Sequence, residues 1–326
     1  MEISERKKVV LKNNPISKFI RNNIGTLLGL MILCVLLSFS SDYFLTGKNL
    51  LTVLRQICIN ALLAFGMTFV LIIGGIDLTV GSIVGMSGVA VVMLIEYGIP
   101  IVLAVIIALI LGGCVGIING VIIAYAKMPA FIVTLSMSGV IRGIAYIITD
   151  GRSVASSSSV FTKIGNSYFW KIPIPIYIVF FVIILISIVL YKTRFGRRMY
   201  AVGGNQIAAK YTGIEIKSLM VKVYVISGML ASLAGIILAS RMYSGQPTAG
   251  QNYESDAIAA AVLGGTSFTG GIGTIGGTLI GALVIGVLGN GLNLLHISSY
   301  VQMVIKGIVI ILAVGIDFFR NRNNDK

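Results

Sequence analysis

The chain has 326 residues, of which 56% are apolar and only 11% charged, with a formal net charge of +14. Long uncharged runs recur from end to end, and a bilayer-crossing helix needs roughly 20 apolar residues. A soluble core with charged faces is therefore excluded, and the positive charge, interleaved with apolar spans, argues for a membrane and not for nucleic acid.

The expected fold is an all-α, polytopic transmembrane helical bundle forming one domain over 1–326. Segment 1–23 is basic, with Arg6, Lys7, Lys8, Lys12, Lys18 and Arg21 ahead of the first apolar run at 26–39. A cleaved signal peptide would fit that run, but the long basic region and the multispan chain behind it favour a retained first helix. Further apolar windows fall at 61–76, 78–95, 101–126, 173–190, 221–239, 275–292 and 300–316. About ten spans are expected, and eight or nine if some are short or broken. Lys and Arg concentrate in cytoplasmic loops, which places 1–23, the basic region 192–222 and the C-terminal Arg320, Arg322 and Lys326 inside. The polar stretch 149–171 then lies outside, where Tyr168-Phe169-Trp170 reads as an interfacial anchor. Cys34, Cys58 and Cys114 are scattered through spans and read as inert buried thiols.

Two stretches break the apolar pattern. The first, GGIDLTVGS, runs from Gly74 to Ser82. Gly74-Gly75 can end a helix, and Asp77 or Thr79 can offer an oxygen to the free N–H groups of the next. A carboxylate at bilayer depth is costly, so three roles are open for Asp77: capping, lining a wet solute path, or coupling to an ion. The second stretch, LGGTSFTGGIGTIGG, echoes the first: Gly74-Gly75, Leu78-Thr79 and Gly81 recur as Gly264-Gly265, Phe268-Thr269 and Gly271. Paired helix breaks in internal repeats are a transporter device. Small-residue faces at Gly112-Gly113, Gly116 and Gly120, and at Gly273, Gly277 and Gly281, read as close helix packing.

The cytoplasmic segment 191–224 holds seven basic residues and one acid, Glu215. Asn205 is a good N-cap for a short helix over 206–211, and Gly213 is a natural stop. An ordinary solvated loop and a short connector helix docking on a partner are both compatible with it.

The blocks GGIDLTVGSIVGMSGV, RFGRRMYAVGGNQIAAKYTGIEI and DAIAAAVLGGTSFTGGIGTIGGTLIGAL resemble, in order and across roughly 44–316, those of bacterial ABC importer permeases. The similarity is to the ribose, galactose, xylose and autoinducer-2 branch. It implies a multi-pass plasma (inner) membrane subunit, paired with a second permease subunit, expected to be another copy. Two ATPase subunits would dock inside, binding ATP and Mg, and a periplasmic or lipid-anchored sugar-binding protein would dock outside. The family's coupling helix, within the loop 191–220, maps onto Gly203, Gly204, Asn205, Gln206, Ala208, Ala209 and Gly213, with Arg197, Arg198 and Tyr200 leading into it. Many members carry Glu where Gln206 stands, so the charge for a salt bridge there is missing. Small polar groups suit a neutral sugar, which makes Asp77, Thr79, Ser82, Thr266, Ser267, Thr269 and Asn293 path candidates, with Asn290 and His296 beside them. Arg152, Arg241, Glu254 and Asp256 are candidate receptor contacts. The cargo implied is a monosaccharide, ribose first.

The residues support this independently. No complete G-x-x-x-x-G-K-[ST] occurs, since Gly47-Lys48 is followed by Asn49. A motor would have to be another chain, and no catalytic, cofactor or metal site is expected here. An ion-coupled secondary carrier is the alternative. It needs ionisable groups at mid-membrane, and the chain offers mainly Asp77, with Arg142 near a helix end. A membrane enzyme is disfavoured by the single histidine.

Overall fold

A computed structural model describes the backbone of residues 15–324 and the side chains of 23–312, 314 and 315. The N-terminal basic cluster and the terminal Arg320, Arg322 and Lys326 lie outside the described residues or side chains. The helices in chain order are α1 Pro15–Ser40, α2 Gly47–Ile72, α3 Val80–Glu96, α4 Ile101–Tyr125, α5 Ala130–Thr149, α6 Ser159–Asn166 and α7 Ile174–Lys192. They continue as α8 Arg194–Gly204, α9 Gln206–Tyr211, α10 Ile216–Met242, α11 Tyr253–Leu263, α12 Ile275–Leu294 and α13 Ser299–Asn324.

Among the described residues, α1, α2, α4, α5, α7, α10 and α12 are long and apolar enough to cross a membrane, and α3 and the 299–312 part of α13 are shorter apolar helices. That gives nine. The tenth expected pass is α11, which at 11 residues covers about 16 Å, half a bilayer. It stops where the glycine-rich second break begins.

Helix α10 is the hub and packs against α2, α3, α4 and α6. The α4 glycine face lets the two backbones touch: a Cβ at Gly116 would lie 2.3 Å from Tyr224 O. In the second small-residue face, Gly277 and Gly281 pack on α11, whereas Gly273 precedes the helix and belongs to the break. The core is a continuous apolar mass in which residues 62–65 and 69–72 of α2 are at most 1% exposed.

The stretch between α5 and α7 folds over the end of α10. Strand β1 (Val154–Ala155) pairs antiparallel with β4 (Ser244–Gly245), Val154 opposite Gly245. The Gly165 amide of α6 donates to Ser240 Oγ at 2.7 Å, and that hydroxyl donates to Phe161 O at 2.7 Å. Strands β2 (Tyr168–Phe169) and β3 (Ile172–Pro173) form a hairpin that presents Trp170 at 86% exposure. The Arg55 guanidinium sits 4.5 Å from the Tyr168 ring centroid.

Candidate functional site

The two breaks start the same way. After α2, the Gly74 amide donates to Leu71 O at 2.8 Å and the Gly75 amide to Val70 O at 2.9 Å, with Gly74 at φ +76°. After α11, Gly265 donates to Val262 O at 2.8 Å and Thr266 to Ala261 O at 3.0 Å, with Gly265 at φ +84°. Both are Schellman stops, which need a left-handed residue just past the helix. A matching turn follows each: Asp77 Oδ1 accepts from the Thr79 amide at 3.0 Å, and Ser267 Oγ accepts from the Thr269 amide at 3.3 Å. The echo seen in the sequence is thus structural, with a one-residue slip. Gly74 matches Gly265 by helix stop, while Asp77–Thr79 matches Ser267–Thr269 by turn.

Asp77 does not cap α3 in the way expected. Its Oδ1 also accepts from the Thr79 hydroxyl, and its Oδ2 accepts from Ser227 Oγ of α10 at 2.7 Å. The carboxylate therefore pins the turn ahead of the helix and leaves the helix's own first N–H groups untouched. Thr79 holds the N-cap position, but its backbone is already helical (φ −78°, ψ −15°), so its hydroxyl makes no cap bond. That hydroxyl instead accepts from Asn119 Nδ2 of α4 at 3.1 Å. Thr134 of α5 and Tyr224 of α10 both donate to Ile76 O, at 3.2 and 3.3 Å. The break is thereby tied to three neighbouring helices. Asn119 and Ser227, which complete the tie, carry no local sequence signal; only the approach of α4 and α10 makes them partners.

Burial changes the reading of the path candidates. Asp77, Thr79, Ser82, Thr266 and Ser267 are all at most 1% exposed, so they form the packed interior of the breaks and not the wall of an open channel. Thr266 Oγ1 is buried without a hydrogen-bond partner. Asn290 is used structurally, exchanging amide bonds with Asn49 at 2.9 and 3.0 Å. Thr269, Asn293 and His296 are exposed.

The 191–224 segment forms as its local sequence predicts. Asn205 Oδ1 accepts from the Ala208 amide at 2.9 Å, and Gly213 ends α9 at φ +77°. Arg197, Arg198, Gln206 and Ala208 are exposed, while Ala209 is buried. Ile207 and Tyr211, 71% and 87% exposed, stand out at i and i+4 on α9. That spacing was present in the sequence, but only the burial of Ala209 shows which face of α9 looks outward.

All three unusual stretches meet at one point. A Cβ on Gly203 would lie 1.8 Å from Ile72 O and 2.5 Å from Gly271 N, at the junction of α8 with both breaks. The Gly271 amide donates to Ile72 O at 2.8 Å, joining the second break to the end of α2. Tyr200 OH donates to Gly273 O at 2.7 Å, and Tyr191 OH accepts from the Ile275 amide at 2.9 Å. Burial, with Tyr191 nearby, pushes the Tyr200 phenol above its ordinary range, so it remains a donor.

Two cavities lie toward opposite ends of α10. The first, about 390 Å³, is lined by Asn60, Arg241, Asp256 and Asn293 among others. The second, about 670 Å³, is lined by Gly74, Gly75, Lys127, Gln206, Lys210 and Tyr224. Asn60 and Ile72 are separated by about 18 Å of helix, filled by the buried belt of α2. Of the expected receptor contacts, Arg152 is exposed, but Asp256 is 5% exposed and paired with Lys306 Nζ at 2.7 Å. A buried carboxylate needs such a partner, which turns Asp256 inward, away from any outer docking face. Arg241 faces the same cavity. Glu254 packs against the start of α3, where a Cβ on Gly81 would lie 2.2 Å from its Oε2. Arg142 clamps this region, donating to Pro247 O at 2.6 Å and Gly81 O at 2.9 Å.

Long apolar helices interrupted at two packed breaks, with two cavities and a short connector wedged against the breaks, fit a multi-pass membrane permease. The chain belongs to the family described as branched-chain amino acid transport system / permease component, whose family model matches residues 49–314. It is 48% identical to the ribose import permease protein RbsC of Bacillus subtilis, over 91% of this chain and 93% of the relative. Identity is 44% to the RbsC protein of Escherichia coli K12, over 90% and 92%. It is 37% to the D-allose transport system permease protein AlsC of the same strain, over 88% of each. No solved structure matches.

Proposed function

We propose that the chain is the translocating subunit of an ATP-driven importer for ribose or a closely related monosaccharide. Its relatives named as ribose import permeases are 44–48% identical over about nine-tenths of the chain, which supports the cargo class. The observation that carries the mechanism is the convergence of both helix breaks on Gly203. In this reading α9 docks on a separate ATPase subunit, which binds ATP and Mg, through its outward Ile207 and Tyr211. Arg197, Arg198, Asn205, Gln206 and Ala208 surround that contact, with Ala209 and Gly213 shaping it from below. When the ATPase closes, α8 and α9 move as one body, and Gly203 shifts the ends of α2 and α11 together. Packed elements switch between discrete arrangements, so the belt between the two cavities opens toward one side at a time.

The outer side receives a sugar-binding protein, with Arg152 and Glu254 among the contacts, and a second copy of the chain completes the path. Thr269 and Asn293 meet the sugar, while the buried Asp77, Thr79, Ser82, Thr266 and Ser267 keep the breaks in shape. The subunit resides in the bacterial inner membrane with both termini cytoplasmic. Reconstitution with its ATPase and receptor in vesicles tests the reading. Ribose uptake should require ATP and stop when the ATPase site is disabled. Uptake driven by a proton or sodium gradient, with no ATPase present, would make the chain a secondary carrier instead.

A further inference from the structure

The 390 Å³ cavity joins α2, α10, α11, α12 and α13, and polar side chains from all five line it. Asn60, Arg241, Asp256, Asn293, Gln302 and Lys306 all face it. Its volume lies within the range of small-ligand pockets, roughly 300–1,000 Å³, and equals the liquid volume of about a dozen waters. A single monosaccharide ring fits in it.

The charge arrangement narrows the ligand. Asp256 Oδ2 already accepts from Lys306 Nζ at 2.7 Å, so the carboxylate offers no open counter-charge to an ammonium group. A cation would meet Arg241 and Lys306. An anion would draw Lys306 away and leave a buried carboxylate unpaired. What remains is a lining of amide donors and acceptors, with the Arg241 guanidinium, beside a neutralised ion pair. Gln302 Nε2 donates to Asn293 Oδ1 at 2.9 Å and to Ile297 O at 2.9 Å, which fixes the orientation of one amide pair. Hydroxyl groups both donate and accept, and match such a lining of amides and guanidinium.

We infer that this cavity is a low-affinity subsite for a neutral polyhydroxy ligand, a monosaccharide, held in shape by the Asp256–Lys306 pair that ties α11 to α13. The inference rests on the importer reading for its cargo and adds where in the chain the sugar pauses.

Gly289 also lines the cavity, and a Cβ there meets nothing within 4 Å. A Gly289→Cys thiol, in a background with Cys34, Cys58 and Cys114 replaced by Ala, therefore reports occupancy. In the full-length chain in nanodiscs, a site with Kd near ~10 mM would slow maleimide labelling about tenfold at ~100 mM D-ribose. Leucine at the same concentration should leave labelling unchanged. Adding Asn60→Leu and Asn293→Leu should abolish the ribose protection, while the sugar-free labelling rate, unchanged, shows that the cavity still forms. Equal labelling with and without ribose overturns the subsite, as does protection by leucine. Absence of ATP-dependent ribose uptake by the assembled wild-type transporter overturns the importer reading instead, so the two failures are distinguishable.

Discussion

Gly203 and Gly204 are neighbours of the same residue type with opposite tolerances. A Cβ at Gly203 would strike Ile72 O and Gly271 N, whereas one at Gly204 meets nothing within 4 Å. Gly203→Ala must push α8 away from both breaks, at a cost of about 1–3 kcal/mol for overpacking; ATP-driven uptake should fall at least as far as thermal stability. Gly204→Ala should leave both near wild type, and thermal unfolding with uptake measured side by side separates the two variants. Asp77 makes a second residue-scale test. Asn keeps an acceptor for the Thr79 amide, and the Ser227 hydroxyl can turn to accept from the new amide, so Asp77→Asn should be mild. Asp77→Leu leaves the Thr79 amide and two hydroxyls without an acceptor, costing roughly 1–3 kcal/mol for each group left buried. Its folded yield in membranes should drop sharply.

Among the elements, α9 carries the clearest division of labour. Asn205 and Gly213 make the helix, and Ile207 and Tyr211 face outward from it. Losing the cap costs about 1 kcal/mol, and a β-branched residue at the left-handed Gly213 costs roughly 1–2 kcal/mol more. Replacing Asn205 and Gly213 together should uncouple ATP hydrolysis from uptake while the protein stays in the membrane. Truncating Ile207 and Tyr211 to Ala should instead weaken ATPase binding, on the order of 2 kcal/mol for an anchor residue, with the fold intact. Titration of the ATPase onto the solubilised permease reads this directly. The β2–β3 hairpin offers an intrinsic probe, because Trp170 is the chain's single tryptophan. Its fluorescence should be quenched more strongly by lipids brominated near the headgroup than by those brominated near the chain end.

Across the whole molecule, the two cavities are separated by a belt of α2 in which Phe65, Phe69 and Leu71 are fully buried. If the cavities open alternately, thiols placed in them should respond in opposite directions to nucleotide. Labelling of Gly289→Cys and of Met128→Cys, one in each cavity, should change reciprocally when the ATPase is trapped with ATP. Parallel changes would indicate a simple breathing motion and contradict a switch.

The membrane class, most helix positions, both breaks and the short capped helix were legible in the chain alone, because each is a local property. Apolar run length sets a span, a glycine pair permits a left-handed stop, and Asn at one end with Gly at the other bounds two turns of helix. Four features depend on distant segments coming together. The half-length of α11 follows from where the second break packs. Asp77 turns inward because Ser227 and Thr79 reach both of its oxygens, and Asp256 because Lys306 of α13 pairs directly with it. The meeting of Gly203 with Ile72 and Gly271 is the most consequential of these. Local sequence encodes where a backbone can bend; which bends touch is decided by packing between segments remote in the chain.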